Sequence, residues 1–215
     1  MLTVYGRATS SNVQAVMWGA AELGLEVERL DYGHVYGGVD TPEFLAMNPN
    51  GRVPVLRDGE LVLWESCAIL RYLAARYGDG GAFWPADPVA RAPVDQWAEW
   101  GKVTFAAAFI HPIFWPLVRK PARERDAVAV GRAIDEFIRL AGILEAQIGE
   151  GPWVMGEAFT LADIVCGHAL YRWFTLDIDR PPAPGLEAYY ARLTGRPAYR
   201  AHVMVDYAPL RHPEA

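Results

Sequence analysis

Residues 48–66 read NPNGRVPVLRDGELVLWES, a stretch in which two short apolar runs flank a turn. Because proline lacks the N–H that a central strand needs, we expect the first strand to begin at or just after Pro54. Asp58 and Gly59 lie between the two runs, a pattern that is typical of a tight hairpin turn. The second run, residues 61–64, completes the predicted hairpin.

A helical pattern opens directly after the hairpin, and Glu65 and Ser66 stand at its start. Unpaired backbone N–H groups and the helix dipole favour a bound carboxylate at such an N-terminus. The peptide bond between Val53 and Pro54 is of the X-Pro type, which can adopt the cis form. Together these features predict a site for a small peptide-like anion. The alternative is an ordinary proline turn followed by an N-capped helix.

The composition is typical of a globular protein, since 52% of the 215 residues are apolar and 21% are charged. A chain of this length forms one large domain or two small ones. The net charge of -6 argues against a nucleic-acid-binding surface. No apolar run approaches the length of a membrane span. Cys67 and Cys166 form no metal cluster and are expected as buried free thiols, so we predict a reduced, cytoplasmic protein without a metal or a membrane partner.

Residues 1–78 predict a small α/β unit. Apolar residues recur at helical spacing from Val13, and Gly24 is expected to end that helix. Thr41 and Pro42 are typical of an N-cap and a first helical position. The predicted order is β-α-β-α-β-β-α, with the first two strands at residues 2–5 and 25–31. This order indicates a parallel βαβ start and an antiparallel hairpin finish.

Residues 79–86 change composition sharply and read as a linker, after which almost every pattern is helical. A long aromatic helix is expected from Asp87 to about Val118, and Pro112 and Pro116 are expected to kink or end it. Thr160 to Asp163 form a capping box in its Asp form. Further helices are predicted at residues 123–148, 164–174, 185–194 and 197–206. The sequence therefore predicts two domains, an α/β unit at 1–78 and an all-helical unit at 87–215.

Three motifs in this order point to a known family. The run NPNGRVPVL, the triplet Trp64-Glu65-Ser66 and the segment TLADI at 160–164 together resemble the cytosolic glutathione S-transferase family. The likeness spans the whole chain and suggests a bacterial member, of a serine-type, theta-like class or of a group that uses Thr and Asn. It implies a thioredoxin-like N-terminal domain, an all-helical C-terminal bundle and a homodimer.

The resemblance also implies a glutathione site. The cis proline of the family matches Pro54, and the backbone of Val53 would pair with the cysteinyl moiety. Glu65 would hold the ammonium group of the γ-glutamyl end, and Ser66 would hold its carboxylate. Arg52 would lie near the glycyl carboxylate.

One loop departs from the family pattern. Theta-like proteins often carry a basic residue before the second helix, whereas residues 37–40 read GGVD here. Glycyl recognition would therefore fall to backbone groups, to His34 or to Arg52.

The residue that activates glutathione is left open among four neighbours. A thiol with a pKa of about 8.5 is mostly protonated at neutral pH, so a donor must stabilise the thiolate. A hydroxyl or amide at the start of the first helix can do so, and Thr9, Ser10, Ser11 and Asn12 lie there. Alignment with serine-type classes favours Ser10, whereas the Thr/Asn group would point to Thr9 with Asn12. The alternative is that these residues only cap the helix.

The second substrate would meet the sulfur between the domains. Aromatic and histidine side chains that could line an apolar pocket are Phe105, Phe109, His111, Phe114, Trp115 and Trp173. The alternative is that most of them form the core of the helical domain. We predict a detoxifying glutathione S-transferase whose thiolate attacks an apolar electrophile. The alternatives are a glutathione-dependent disulfide or peroxide reductase and a non-catalytic, transferase-like binding protein.

Overall fold

A four-stranded mixed sheet forms the N-terminal part of the chain in the computed structural model, which describes residues 1–214. The strand order is β2-β1-β3-β4, with β1 parallel to β2 and antiparallel to β3, and β3 antiparallel to β4. This confirms the predicted βαβ start and hairpin finish. The strands are β1 Leu2–Tyr5, β2 Val27–Leu30, β3 Val55–Asp58 and β4 Leu61–Trp64.

Three helices accompany the sheet: α1 Ser11–Glu22, α2 Pro42–Met47 and α3 Ser66–Tyr77. Helix α1 begins two residues before the predicted Val13, because its first turn is polar and apolar periodicity cannot detect such a turn. Helices α1 and α3 pack together and bury a common apolar core against the sheet. That core includes Val4, Val13, Val16, Leu56, Ile69 and Leu73.

The hairpin is built as the sequence predicts. The Val53–Pro54 peptide bond is cis, and β3 begins at Val55. The preceding turn is held by Asn48, whose Nδ2 donates to the carbonyl of Arg52 at 2.7 Å and whose Oδ1 accepts from the backbone of Asn50 at 3.0 Å. These bonds fix the chain that enters the cis bond, so Arg52 and Val53 have a defined position.

The remaining chain is helical, as predicted. After the segment between Tyr77 and Pro88, the helices are α4 Pro88–Arg119, α5 Ala127–Ile148, α6 Leu161–Gly167, α7 Leu170–Thr175, α8 Pro184–Gly195 and α9 Pro197–His202. The capping box opens α6, where the backbone N–H of Thr160 donates to the buried carboxylate of Asp163 at 2.8 Å. A turn at residues 168–169 divides the helix that was predicted at 164–174 into α6 and α7.

Helix α4 continues through Pro112 and Pro116, where the sequence predicts that it kinks or ends. Pro112 lies in the π-type segment Ile110–Phe114, whose wider turns accommodate a proline ring that lacks an N–H. The 32 residues of α4 are long and apolar enough, by length and composition alone, to cross a membrane. The expectation of no such segment was therefore wrong. Much of this apolarity is core packing, since Phe105, Phe109 and Phe114 are fully buried in the helical domain.

Candidate active site

A cleft lies between the loops of the N-terminal domain and helix α4. It consists of two adjoining cavities of about 380 and 420 Å³. Asn12, Arg52, Val53 and His111 line both cavities, so the two form one continuous cleft. Each cavity is within the size range of small-molecule sites. The cleft can therefore hold a short peptide beside a second small molecule.

One end of the cleft is built at the start of α3. Glu65 precedes the helix with a positive φ of 71°, and the buried Ser66 is its first residue. The Nζ atom of Lys102 donates to Ser66 Oγ at 2.9 Å and to Asn12 Oδ1 at 2.7 Å. Helical N–H groups, a hydroxyl and an ammonium group thus meet at one point. Such a group of donors is suited to a carboxylate.

Sequence reasoning missed Lys102, which lies 90 and 36 residues along the chain from its two partners. Its neighbour Gly101 lets α4 approach α6 closely, because a Cβ there would lie 2.9 Å from Cys166 Sγ and 3.2 Å from Cys166 N. This close packing sets the point at which Lys102 enters the cleft. The available signal was one ammonium group within an otherwise uncharged run at residues 101–110.

The middle of the cleft is formed by residues 9–12, all of which line it. Ser10 is the N-cap of α1 and is 8% exposed, yet its side chain makes no capping hydrogen bond. The carbonyl of Thr9 accepts a 2.7 Å hydrogen bond from Arg172 of the helical domain, which holds this loop in place. The Ser10 hydroxyl is therefore an uncommitted donor beside the positive end of the α1 dipole.

The predicted glutathione residues come together in this cleft. Val53, Pro54, Glu65 and Ser66 line the 420 Å³ cavity, and the exposed side chain of Arg52 lies at its border with the other cavity. The hairpin and the α3 N-terminus thus present one surface, as the spacing of the motifs predicts. The role of each side chain toward a ligand remains a prediction.

The predicted electrophile residues separate into two groups. His111 and Trp115 line the 380 Å³ cavity and contact each other edge to face, with ring centroids 4.3 Å apart, and Phe114 lies beside them. Phe105 and Phe109 do not line it, because both are fully buried and pack against Phe137 in the helical core. For these two residues the core alternative is correct and the pocket prediction was wrong.

Basic side chains form much of the wall of the 380 Å³ cavity. Arg7, His34, Arg119 and Arg172 all line it, and no aspartate or glutamate within residues 1–214 does. Burial and the nearby charge of Arg7 lower the pKa of Arg172 to about 10. Burial, then the charges of Arg119 and Arg7, lower the pKa of His34. This concentration of positive charge was not predicted from the sequence.

The other reactive side chains lie outside the cleft. Cys67 and Cys166 are buried free thiols as predicted, and burial raises the pKa of both, so neither is a ready nucleophile. Tyr5 packs edge to face on Tyr32 at 5.3 Å between ring centroids. Within residues 1–214, no group of three or more His, Cys, Asp or Glu side chains could hold a metal ion.

Two family models match the chain. Residues 1–75 match the N-terminal domain of glutathione S-transferases, and residues 121–192 match the C-terminal domain of the same proteins. The first matched segment lies within the sheet domain, and the second lies within the helical domain.

Individual relatives agree with these models. The chain is 40% identical to glutathione S-transferase GstB of Escherichia coli K12, over 95% of this chain and 99% of that protein. It is 32% identical to glutathione S-transferase 3 of Zea mays, over 94% and 93% of the two chains. A theta class glutathione S-transferase from Xanthomonas axonopodis pv. citri, solved with glutathione bound, has a similar structure with a TM-score of 0.89, 43% identity and coverage of 95% and 98%. This chain belongs to the glutathione S-transferase family.

Proposed function

We propose that Ser10 stabilises the thiolate of bound glutathione by donating its hydroxyl hydrogen bond to the sulfur. The observation that carries this assignment is that Ser10 lines the cleft at the N-terminus of α1 with no capping bond of its own. The amide oxygen of Asn12, by contrast, already accepts from Lys102. The thiol proton passes to solvent, the thiolate attacks an electrophilic carbon, and a C–S bond forms as the leaving group departs.

Glutathione binds along the cleft in this proposal. The backbone of Val53 pairs with the cysteinyl moiety, and the Glu65 carboxylate holds the γ-glutamyl ammonium group. Ser66 and Lys102 together hold the γ-glutamyl carboxylate, which is supported by the 2.9 Å bond that already joins them. Arg52, which lines both cavities together with Val53, takes the glycyl carboxylate.

The electrophile occupies the 380 Å³ cavity next to Ser10. Its apolar wall is formed by Ile110, Phe114 and Trp115, which support the binding of an apolar body. The side chain of Trp115 is 40% exposed, so a bound ring can cover it and gain apolar burial.

The finer parts of the predicted function belong to this proposal as well. We propose a detoxifying, cytoplasmic enzyme whose two domains meet at a linker in residues 79–86. A homodimer is supported by exposed apolar side chains on the edge strand and on α4, namely Leu61, Trp64 and Val103. Light scattering of the purified protein measures the assembly, and a monomer at micromolar concentration would contradict it.

The experiment that tests the activating residue is a titration of the bound thiol. Ultraviolet thiolate absorbance is followed against pH with saturating glutathione in wild type, Ser10→Ala, Asn12→Ala and the control Ser11→Ala. We expect the pKa of the bound thiol to rise by roughly one to two units in Ser10→Ala only, the equivalent of one charge-assisted hydrogen bond. A rise only in Asn12→Ala would favour the reductase alternative. No bound thiolate in wild type would leave a non-catalytic binding protein.

A further inference from the structure

We propose that the electrophile carries a carboxylate-sized anionic group, which the guanidinium groups of Arg7 and Arg119 bind in the 380 Å³ cavity. This inference rests on the proposed function, since it names the substrate class of the same site. It concerns the 380 Å³ cavity, which does not contain Glu65 or Ser66.

Three guanidinium groups, those of Arg7, Arg119 and Arg172, lie on the wall of this cavity. The Cζ atom of Arg172 is 4.5 Å from the ring centroid of Phe114, and that of Arg119 is 5.2 Å from the ring centroid of Trp115. Both rings line the same cavity. A ligand ring that rests on these aromatics would therefore carry a substituent within reach of the arginines.

Among the described residues 1–214, none of the three arginines has a carboxylate partner. Each ion pair found within residues 1–214 involves other basic residues, and no acidic side chain lines the cavity. The Nε atom of Arg7 is buried and has no hydrogen-bond partner. Partly buried positive charge is costly unless it is paired, so this cluster is organised for an anion that arrives with a ligand.

Mutual repulsion among these charges supports the same conclusion. Burial and then the charge of Arg119 lower the pKa of Arg7, and burial and then Arg7 lower the pKa of Arg172. The chain as a whole has a net charge of -6, so the positive cavity is a local exception. A cleft lined by one sign of charge attracts a ligand of the opposite sign.

The glycyl carboxylate of glutathione is the competing occupant. Arg52 stands at the border of the two cavities, next to Val53, and can meet that carboxylate alone. Arg7 and Arg119 lie only in the other cavity, together with the apolar wall formed by Phe114 and Trp115. The two assignments predict different results, because only one of them couples the arginines to the charge of the second substrate.

A chlorodinitrobenzoate is a substrate of this class, and its aromatic ring loses chloride by substitution. The glutathione thiolate, whose proton has passed to solvent, donates an electron pair to the ring carbon that bears chlorine. A C–S bond forms, the C–Cl bond breaks, and chloride leaves with the bonding pair. The ring carboxylate takes no part in these bonds and serves as the group that the arginines hold.

Binding without chemistry gives the first test. Calorimetry measures the affinity for two ligands: nitrobenzoate, which has no leaving group, and the matched neutral nitrobenzamide. The proteins compared are wild type, Arg7→Met/Arg119→Met, Arg7→Lys/Arg119→Lys and the control Arg139→Met. Arg139 is an exposed arginine that pairs with Glu136 on α5. We expect the anion to bind about 10- to 100-fold more tightly than the amide, as charge-assisted hydrogen bonds imply. The preference should vanish in the methionine variant and persist in the lysine and control variants. Arg172 is left intact because it holds the loop at Thr9.

Turnover gives the second test and separates the two proposals. The kcat/KM value for chlorodinitrobenzoate and that for its carboxamide are measured. Each value is divided by the rate constant of the uncatalysed reaction of the same compound with glutathione, so that the intrinsic reactivities cancel. The preference for the anion should fall about tenfold or more in Arg7→Met/Arg119→Met, with an unchanged KM for glutathione. Equal affinity of wild type for nitrobenzoate and nitrobenzamide would overturn the inference even if the thiolate titration succeeds. A raised KM for glutathione with an unchanged anion preference would also overturn it, because the arginines would then read the glycyl carboxylate.

Discussion

Replacing Lys102 by methionine tests how the cleft recognises the γ-glutamyl end of glutathione. The Nζ atom lies 2.7 Å from Asn12 Oδ1 and 2.9 Å from Ser66 Oγ, on a half-buried side chain. Methionine keeps the length of the side chain and removes its charge. In the proposed complex, Lys102→Met therefore removes one charged donor from the γ-glutamyl carboxylate while leaving Ser66 in place.

The size of the effect follows from the burial of this site. An exposed ion pair contributes about 0–1 kcal/mol, and a hydrogen bond to a charged group in a buried site contributes about 1.5–3 kcal/mol. The half-buried Lys102 lies between these limits, so we expect a loss of about 1–2 kcal/mol. This corresponds to a Kd for glutathione that is roughly 5- to 30-fold higher.

Calorimetry with two ligands separates a direct contact from an indirect one. Wild type and Lys102→Met are titrated with glutathione and with an analogue that lacks the γ-glutamyl α-carboxylate. We expect the analogue to bind both proteins with the same reduced affinity, because the group that Lys102 contacts is absent from it. Lys120→Met is the matched control, since Lys120 is exposed, is the only other lysine and does not line the cleft.

A Lys102→Met variant that weakens the binding of glutathione and of the analogue by the same factor would refute the proposed contact. In that case Lys102 would act only by holding Asn12 and Ser66 in position. An unchanged Kd for glutathione in Lys102→Met would refute it as well.

Three further outcomes are expected. Ser66→Ala should weaken glutathione binding more than Cys67→Ala, and equal affinities by calorimetry would contradict the carboxylate assignment, since Cys67 is buried beside it without a polar role. Asp163→Ala should lower the free energy of unfolding by roughly 2–5 kcal/mol in denaturant titrations, because the buried backbone N–H groups of Val154 and Thr160 lose their acceptor. A change of less than about 1 kcal/mol would contradict this prediction. Burial lowers the pKa of His168 from 6.5 to about 3, so unfolding takes up a proton as the pH falls below about 6.5. The stability contributed by neutral His168 is full above that pH and is lost toward pH 3. Between pH 6 and 4, the free energy of unfolding of wild type should therefore fall by about 1.4 kcal/mol per pH unit relative to that of His168→Gln. Parallel curves of unfolding free energy against pH for the two proteins would exclude this effect.

Local signals in the sequence were enough to predict much of the fold. The hairpin after Pro54 and the capping box at Thr160 to Asp163 are decided by residues a few positions apart, so both were predicted from spacing. The course of α4 through Pro112 could not be predicted in this way, because the π-type widening depends on how the helix packs in the bundle. Local rules state which backbone conformations a residue disfavours. Tertiary packing decides whether the residue nevertheless adopts one of them.

The same distinction between local and long-range signals applies to the residues of the cleft. Ser10 and Ser66 were predicted as cleft residues because each stands at a helix N-terminus that the sequence marks. Lys102 and Arg172 were not, because their partners lie 90 and 163 residues away along the chain. Both are single cations within apolar helical stretches, which is the one trace that such long-range contacts leave in the sequence. A lone charge in an apolar helix is thus a useful marker of a site that lies between domains.

The two cationic regions of the cleft also bear on the chemistry between them. A thiolate that attacks an anionic electrophile brings two negative charges together, and at about 4 Å their repulsion is roughly 4 kcal/mol at an effective dielectric constant of 20. In the proposed complex, Arg7 and Arg119 in the 380 Å³ cavity and Lys102 in the 420 Å³ cavity would offset this repulsion without touching the reacting atoms. The same positive field favours the thiolate over the thiol, so it lowers the demand on the Ser10 hydroxyl. An enzyme arranged in this way gains most from its charges when the electrophile is an anion, because a neutral electrophile leaves the arginines unpaired in the transition state.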